Sequence, residues 1–399
     1  MSTTLITNLS EAFTSDASAT LIPEAAILIE DSRIAWIGKA TDAPGAENVI
    51  DAGFRAALPG WVDSHTHMVF AGDRSAEFVA RMAGQDYAAG GIAVTTAATG
   101  ASSDYDLTRL LMGRATEALA GGTTYLETKT GYGLSVEEET RHARIASTVA
   151  DKVTFLGAHL VPAGADAQEY TDLVCGEMLR RVLPYVQYAD VFCERGAFNE
   201  AQSRQVLTAA RDAGLGLRVH GNQLGAGPGV RLAVEFGAAS VDHVNYLDEA
   251  DVTALSGSWN RWDASSRTGS VGTVATCLPA CDLSTRQPLA PGRELLDAGV
   301  QVALASNCNP GTSYTSSMAF CVATAVLQMN LSIEEAIVAA TYGGALALGE
   351  QGNVGSLEVG KRADIQLLNA PAVAHLAYRP GMHLNGPVFR AGELVAGRL

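Results

Sequence analysis

Five histidines carry the clearest chemical signal in this 399-residue chain. His65 and His67 flank Thr66 where the apolar run Ala56, Ala57, Leu58, Trp61 and Val62 stops abruptly. In a strand, side chains at i and i+2 share one side, so these two imidazoles converge. Convergent neutral imidazoles suit a divalent metal, although two hydrogen-bonded structural histidines would read the same way. The decision between them rests on what the remaining elements bring to the same place.

From about Arg55 to Gly349 the sequence alternates strands with helical stretches, which is the signature of βα units. Eight strand candidates are FRAALPGWVD, GTTYLETK, KVTFLGAHLV, YVQYADVFCE, LGLRVHG, AASVDHV, TVATCLP and VQVALASN. Helical patterns such as DLTRLLMGRATEALA and NEAQSRQVLTAARDAG lie between them. The expected fold is therefore α/β, a (β/α)8 TIM barrel, whose functional groups sit at the C-terminal ends of the strands. The first strand ends at His65 and His67, the third at His159, the fifth at His220 and the sixth at His243. This clustering favours a metal held by His65, His67 and His220. His142, His375 and His383 fall on a helix or in the C-terminal segment and read as surface residues. The second strand ends in Glu127 and Lys129, followed by the glycine-flanked Tyr132; the fourth ends in Glu194 and the eighth in Asn307.

Glycine-punctuated strands at both ends, AAILIEDSRIAWIG early and GPVFRAGELVAGRL late, predict a small β-sandwich domain built from residues 1–55 and 355–399, with the barrel over 56–354. The polar stretch GSWNRWDASSRTGSVG, residues 257–272, has no clear period and reads as a loop insertion. A formal charge of −16 argues against nucleic acid or anionic membrane as a partner, since both need a positive field. Six scattered cysteines without a CxxC pair suggest a reducing compartment. The N-terminus lacks a basic flank and apolar core, and no apolar run approaches the roughly 20 residues needed to span a bilayer, so a cytoplasmic location is expected.

With HTH on the first strand, single histidines after the fifth and sixth, and a terminal GSLEVGKRADI, the chain resembles the amidohydrolase superfamily. Within it, PGWVDSHTHMVFAGDRSAEF, GTTYLETKTGYGL, TFLGAHLVP, DVFCERGAF, GAASVDH and NPGTSYTSSM are similar to the imidazolonepropionase family. That resemblance implies hydrolysis of 4-imidazolone-5-propanoate to N-formimidoyl-L-glutamate, in histidine degradation, at one zinc or iron ion. It implies that His65, His67 and His220 are metal ligands, and that Arg74 binds the substrate carboxylate. Tyr132 and His159 would contact substrate, Asn309, Gly311 and Thr312 would hold the propanoate end, and a homodimer would form.

Two positions depart from the pattern. The family usually has an acidic residue three after the fifth-strand histidine, where this chain has Gln223. The superfamily places a metal-contacting aspartate at the end of the eighth strand, where this chain has Asn307. An amide keeps one acceptor and the size of the carboxyl group but loses its charge and basicity. An amide oxygen could still touch a metal or orient a water, so Asn307 stays a candidate metal contact and catalytic residue and Gln223 a candidate catalytic and substrate-binding residue, with His243 the best remaining base or shuttle. Besides imidazolone hydrolysis, two other readings follow: an amidohydrolase for another cyclic amide or amino-heterocycle, or a catalytically impaired binding protein.

Overall fold

The computed structural model describes residues 3–84 and 91–399. Residues 1 and 2, where the expected terminal domain begins, lie outside the described residues.

Eight strands form one parallel sheet in sequence order: β1 (Trp61–Asp63), β2 (Thr123–Lys129), β3 (Lys152–Ala158), β4 (Tyr188–Cys193), β5 (Gly216–Gly221), β6 (Ser240–His243), β7 (Val274–Cys277) and β8 (Val302–Leu304). This is the expected (β/α)8 barrel. Its strands are buried nearly throughout, as a parallel sheet covered on its outer face must be. The helices turn apolar stripes toward it. Helix Val136–Ala146 begins at Ser135, whose side chain accepts from the Glu138 N–H, and buries Val136, Glu139, His142, Ala143 and Ala146. Those positions recur at three and four residues, one face of a helix. His142 is therefore buried, contrary to the surface reading, because it occupies the inward stripe.

β1 and β8 are only three residues long, yet the barrel closes beyond their ends. The N–H of Asn307 donates to the His65 carbonyl at 3.0 Å and that of His67 to the Cys308 carbonyl at 3.1 Å. The Ser306 N–H and hydroxyl both donate to Asp63. Gly343 and Gly344 lie across this seam: a Cβ on either would stand 2.2 Å from the carbonyl oxygen of Val302 or Val62. The helical stretch after β8 can approach the barrel backbone there only because it has no side chains at those positions.

The chain termini build a second, mixed sheet. Strand Thr3–Phe13 runs parallel to Asn48–Pro59, which pairs antiparallel with Ile365–Leu368 from the other end of the chain. Ile6, Ile27, Ile34, Ile365, Leu367 and Phe389 share one apolar core. The sheet curls round that core, since the Ile34 N–H donates to the Lys361 carbonyl at 2.9 Å. The expected 55/56 boundary falls inside strand Asn48–Pro59, whose last residues pair with Ile365–Leu367; the path passes to the barrel at Gly60.

Residues 257–272 are more ordered than a loop insertion. They hold the end of helix Glu249–Ser258 and a two-stranded hairpin, Trp262–Asp263 with Thr268–Gly269. Arg267 at its tip lies 3.4 Å from the Tyr342 ring centroid and donates to the Ser15 and Asp16 carbonyls at 2.8 and 2.9 Å. The hairpin thus fastens the barrel to the terminal sheet through a cation–π contact and two charge-assisted hydrogen bonds.

Candidate active site

His65 and His67 follow β1, and His220 is the penultimate residue of β5. All three are buried, at 0, 1 and 3% exposure. His67 Nε2 lies 3.2 Å from His65 Nε2 and 3.4 Å from His220 Nε2. Asp242 Oδ2 accepts from His65 Nδ1 at 2.7 Å, and Asp190 Oδ1 stands 3.0 Å from His220 Nδ1. A carboxylate beside Nδ1 keeps the proton there, so Nε2 of both rings presents a lone pair. Burial, with His65 and then His220 adding to it, holds His67 well below the ordinary histidine range. His65 is likewise held down, by burial and then Lys129, against the pull of Asp242. The Nε2 atoms of His65 and His220 both approach Nε2 of His67, so the three rings converge where one cation could be shared. Ligands of a tetrahedral zinc at about 2.0–2.1 Å would be about 3.3 Å apart, close to these two separations, and His65, His220 and His243 also each bring a ring nitrogen within 4.8 Å of the other two. The residues present fit a divalent metal.

Behind these rings lies a dry ionic cluster. Lys129 Nζ, fully buried, is 3.0 Å from Glu127 Oε1, 3.1 Å from Asp190 Oδ2 and 3.9 Å from Asp242 Oδ2. Arg218, also fully buried, reaches Asp242 at 3.0 Å and donates to the Ser64 carbonyl at 2.8 Å. Burial alone would raise the Asp242 carboxyl, but Arg218, His65 and Lys129 outweigh it and hold it well below its ordinary range. Asp190 is held down in the same sense, against its burial, by His220 and Lys129.

The open side of the imidazoles is lined differently. Asn307, at a φ of 62°, donates from Nδ2 to Thr312 Oγ1 at 3.0 Å, and its buried Oδ1 has no hydrogen-bond partner among the described residues. The Gln223 amide reaches Cys281 Sγ at 3.8 Å, while its backbone N–H donates to Glu194. His243 ends β6 at a φ of 84°, its ring centroid 5.3 Å from that of His220. Burial, then His220 and His65, push it well below the ordinary histidine range. His159 stacks on His67 with centroids 5.7 Å apart and donates from Nδ1 to the Gly131 carbonyl at 2.8 Å. Tyr132 rides on the adjacent turn, which Glu139 holds by accepting from the N–H groups of Gly131, Gly133 and Leu134 at 2.7–3.0 Å. Asn309 Oδ1 accepts from the Gly311 N–H at 2.9 Å, forming the tight turn that carries Thr312. A Cβ on Gly311 would stand 2.1 Å from Arg74 Nη1. Arg74 is 6% exposed and bidentate to Glu77, with both hydrogen bonds at 2.8 Å.

One cavity of about 20 Å³ is lined by His67, Arg74, Tyr132, His159, His220, Gln223, His243, Asn307, Asn309 and Thr312. It has room for little beyond a water, so a substrate must displace its walls. His65 and Gly311 are not in its lining but touch it through His67 and Arg74. A larger cavity, about 580 Å³, lies alongside between the loops after β4 and β5 and contains none of the predicted site residues. The structure also brings in Asp190, Asp242, Arg218 and Glu139, which sequence reasoning passed over, and gives Lys129 partners it did not foresee. Charged residues inside otherwise apolar strands, as in YADVFC, LRVH and SVDH, were the available signal.

The amidohydrolase family matches residues 56–382. Over 397 residues the chain is 71% identical to an imidazolonepropionase of Arthrobacter sp. (strain FB24), covering 98% of each. It is 69% identical over 400 residues to the imidazolonepropionase of Paenarthrobacter aurescens (strain TC1), again covering 98% of each. Among solved structures, an adenosine deaminase from Xanthomonas campestris with bound zinc superposes with a TM-score of 0.74 at 18% identity, covering 99% of this chain and 93% of that one. An atrazine chlorohydrolase from Arthrobacter aurescens TC1 complexed with zinc gives 0.73 at 19% identity, with coverages of 99% and 95%. At such identities the structural likeness speaks to the fold alone.

Proposed function

The chain belongs to the amidohydrolase family, a metal-dependent family, and within it to the imidazolonepropionases; from that premise we propose that it hydrolyses the ring C–N bond of 4-imidazolone-5-propanoate, giving N-formimidoyl-L-glutamate. The observation that carries this reading is one cavity whose lining combines the candidate ligand imidazoles His67 and His220 with the Arg74 guanidinium and the polar residues Asn309 and Thr312.

His65, His67 and His220 would hold the cation, zinc or iron, with Asn307 Oδ1 the neutral acceptor beside them. When bound there, it supplies Lewis acidity toward the ring carbonyl and acidifies water enough for attack near neutral pH. Arg74 and the Asn309–Thr312 turn anchor the propanoate, converting binding energy into orientation of the ring. The fork of Arg74 already meets Glu77, and its Nη1 side abuts Gly311, so the arginine is aimed before a carboxylate arrives. Tyr132 and His159 flank the ring and exclude water from it. As water oxygen bonds to the carbonyl carbon, the ring C–N bond breaks. His243, neutral because it is buried, takes the water proton and returns it to the departing nitrogen. Gln223 holds substrate by its amide, and neither it nor Asn307 can serve as base.

Turnover of imidazolonepropanoate by protein of measured metal content tests this reading. Hydrolysis that requires the propanoate carboxylate is the expected result. Metal-loaded protein that leaves the compound untouched, while Asn307→Asp turns it over, would leave only the impaired-enzyme reading.

A further inference from the structure

We propose that Lys129 is a positioning residue for the metal-facing imidazoles, its ammonium holding in place the carboxylates that orient His220 and His65. The inference rests on the reading of His65, His67 and His220 as cation ligands.

The geometry divides the oxygens of Asp190 between two tasks. Oδ1 meets the backbone N–H of His220 at 3.1 Å and its Nδ1 at 3.0 Å, while Oδ2 meets Lys129 at 3.1 Å. Without the ammonium, Oδ2 has no cation and the carboxylate is free to turn about its own axis. Asp242 concentrates its contacts on Oδ2, which serves His65 Nδ1 at 2.7 Å, Arg218 at 3.0 Å and Lys129 at 3.9 Å. Lys129 therefore spans from β2 to β4 and β6, and among the described residues it is the only lysine or arginine besides Arg218 within salt-bridge distance of either carboxylate. A lysine with 0% side-chain exposure is costly to bury, and an apolar residue at the same place would avoid that cost. A cation here makes physical sense as a lock on the two orienting carboxylates.

Charge placement gives the same answer. Asp190, Asp242 and Glu127 against Lys129 and Arg218 leave one formal negative charge behind the rings. On the open side, Asn307 and Gln223 are neutral. The negative charge that offsets a divalent cation reaches it through the imidazoles, and Lys129 fixes the direction of that field.

The test uses full-length protein stripped of metal, titrated with Zn2+ against a chromophoric chelator and, separately, loaded with Co2+ for its visible absorption. Lys129→Met removes the ammonium. Lys129→Met/Glu127→Gln removes one cation and one anion together, sparing the balance of the cluster. Both are expected to bind Zn2+ about tenfold to a hundredfold more weakly, the range typical for outer-sphere partners of a metal ligand. Both should also shift the Co2+ bands, whereas Glu127→Gln alone should stay within about twofold of the parent. A folded double variant with unchanged Zn2+ affinity and Co2+ spectrum overturns the proposal. Failure of both lysine variants to fold even with Zn2+ present also overturns it, making Lys129 a folding residue. No turnover is read, so an inactive parent that binds Zn2+ normally would sink the proposed function and leave this inference standing.

Discussion

The two sides of the His65–His67–His220 cluster are built on opposite plans. Behind them, Asp190, Asp242 and Glu127 interlock with Lys129 and Arg218 in a cluster from which water is excluded. In front, Asn307, Gln223, Asn309 and Thr312 are uncharged, and Arg74 brings the guanidinium. Two of these carboxylates, Asp242 and Asp190, approach the rings at Nδ1, on the side away from Asn307 in the proposed reading. Such an arrangement leaves the front electropositive once a cation is bound, which suits an anionic substrate. In the proposed reaction it also leaves proton transfer to the His243 imidazole.

Breaking the rear side should cost most. Asp242→Ala strands Arg218 and Lys129 without a shared anion and frees the tautomer of His65. Unfolding by urea should show a loss of about 3–5 kcal/mol, the range for breaking a buried ion pair from one side. Breaking the front should cost activity instead of stability. Arg74→Ala removes a charged hydrogen-bonding partner worth about 1.5–3 kcal/mol, so KM should rise about tenfold to a hundredfold with kcat changed much less. Equal losses in kcat and kcat/KM would mean that Arg74 acts on the transition state and that anchoring has been misassigned.

The smallest effect serves as a control outside both sides. His142 is pushed down to about 4 by burial, then by Arg141. Its folded value lies below the unfolded one of about 6.5, so its contribution is complete above that pH and is lost as pH falls toward 4. His142→Leu should therefore lessen the acid destabilisation between those limits, by at most about 1.4 kcal/mol per pH unit, without altering Zn2+ affinity. Parallel stability-versus-pH curves for the two proteins would refute this.

The barrel was legible because its rhythm is local: eight apolar runs, seven of them closed by a polar residue, count themselves off. His65, His67 and His220 were legible because strand geometry turns position in sequence into position on a rim. What stayed hidden depends on contacts across the barrel. The apolar run around Asp190 hints that it is buried but names no partner for it, and Lys129 gains meaning only when β4 and β6 stand beside β2. His142 was misread because the stripe that buries it contains Glu139, so the helix looks more polar than its packing. Residues 257–272 lacked a period because a two-residue strand is too short to display one.

The strand shared between chain ends has a consequence in time. Asn48–Pro59 leaves the ribosome early, but its antiparallel partner Ile365–Leu368 comes about 300 residues later. At about 5–20 residues per second, that edge waits tens of seconds for its neighbour. Through that interval the nascent chain carries an unpaired edge, the kind that invites pairing with another molecule. The N-terminal strands are therefore where a nascent-chain chaperone has most to protect, until the last strands arrive to cover them.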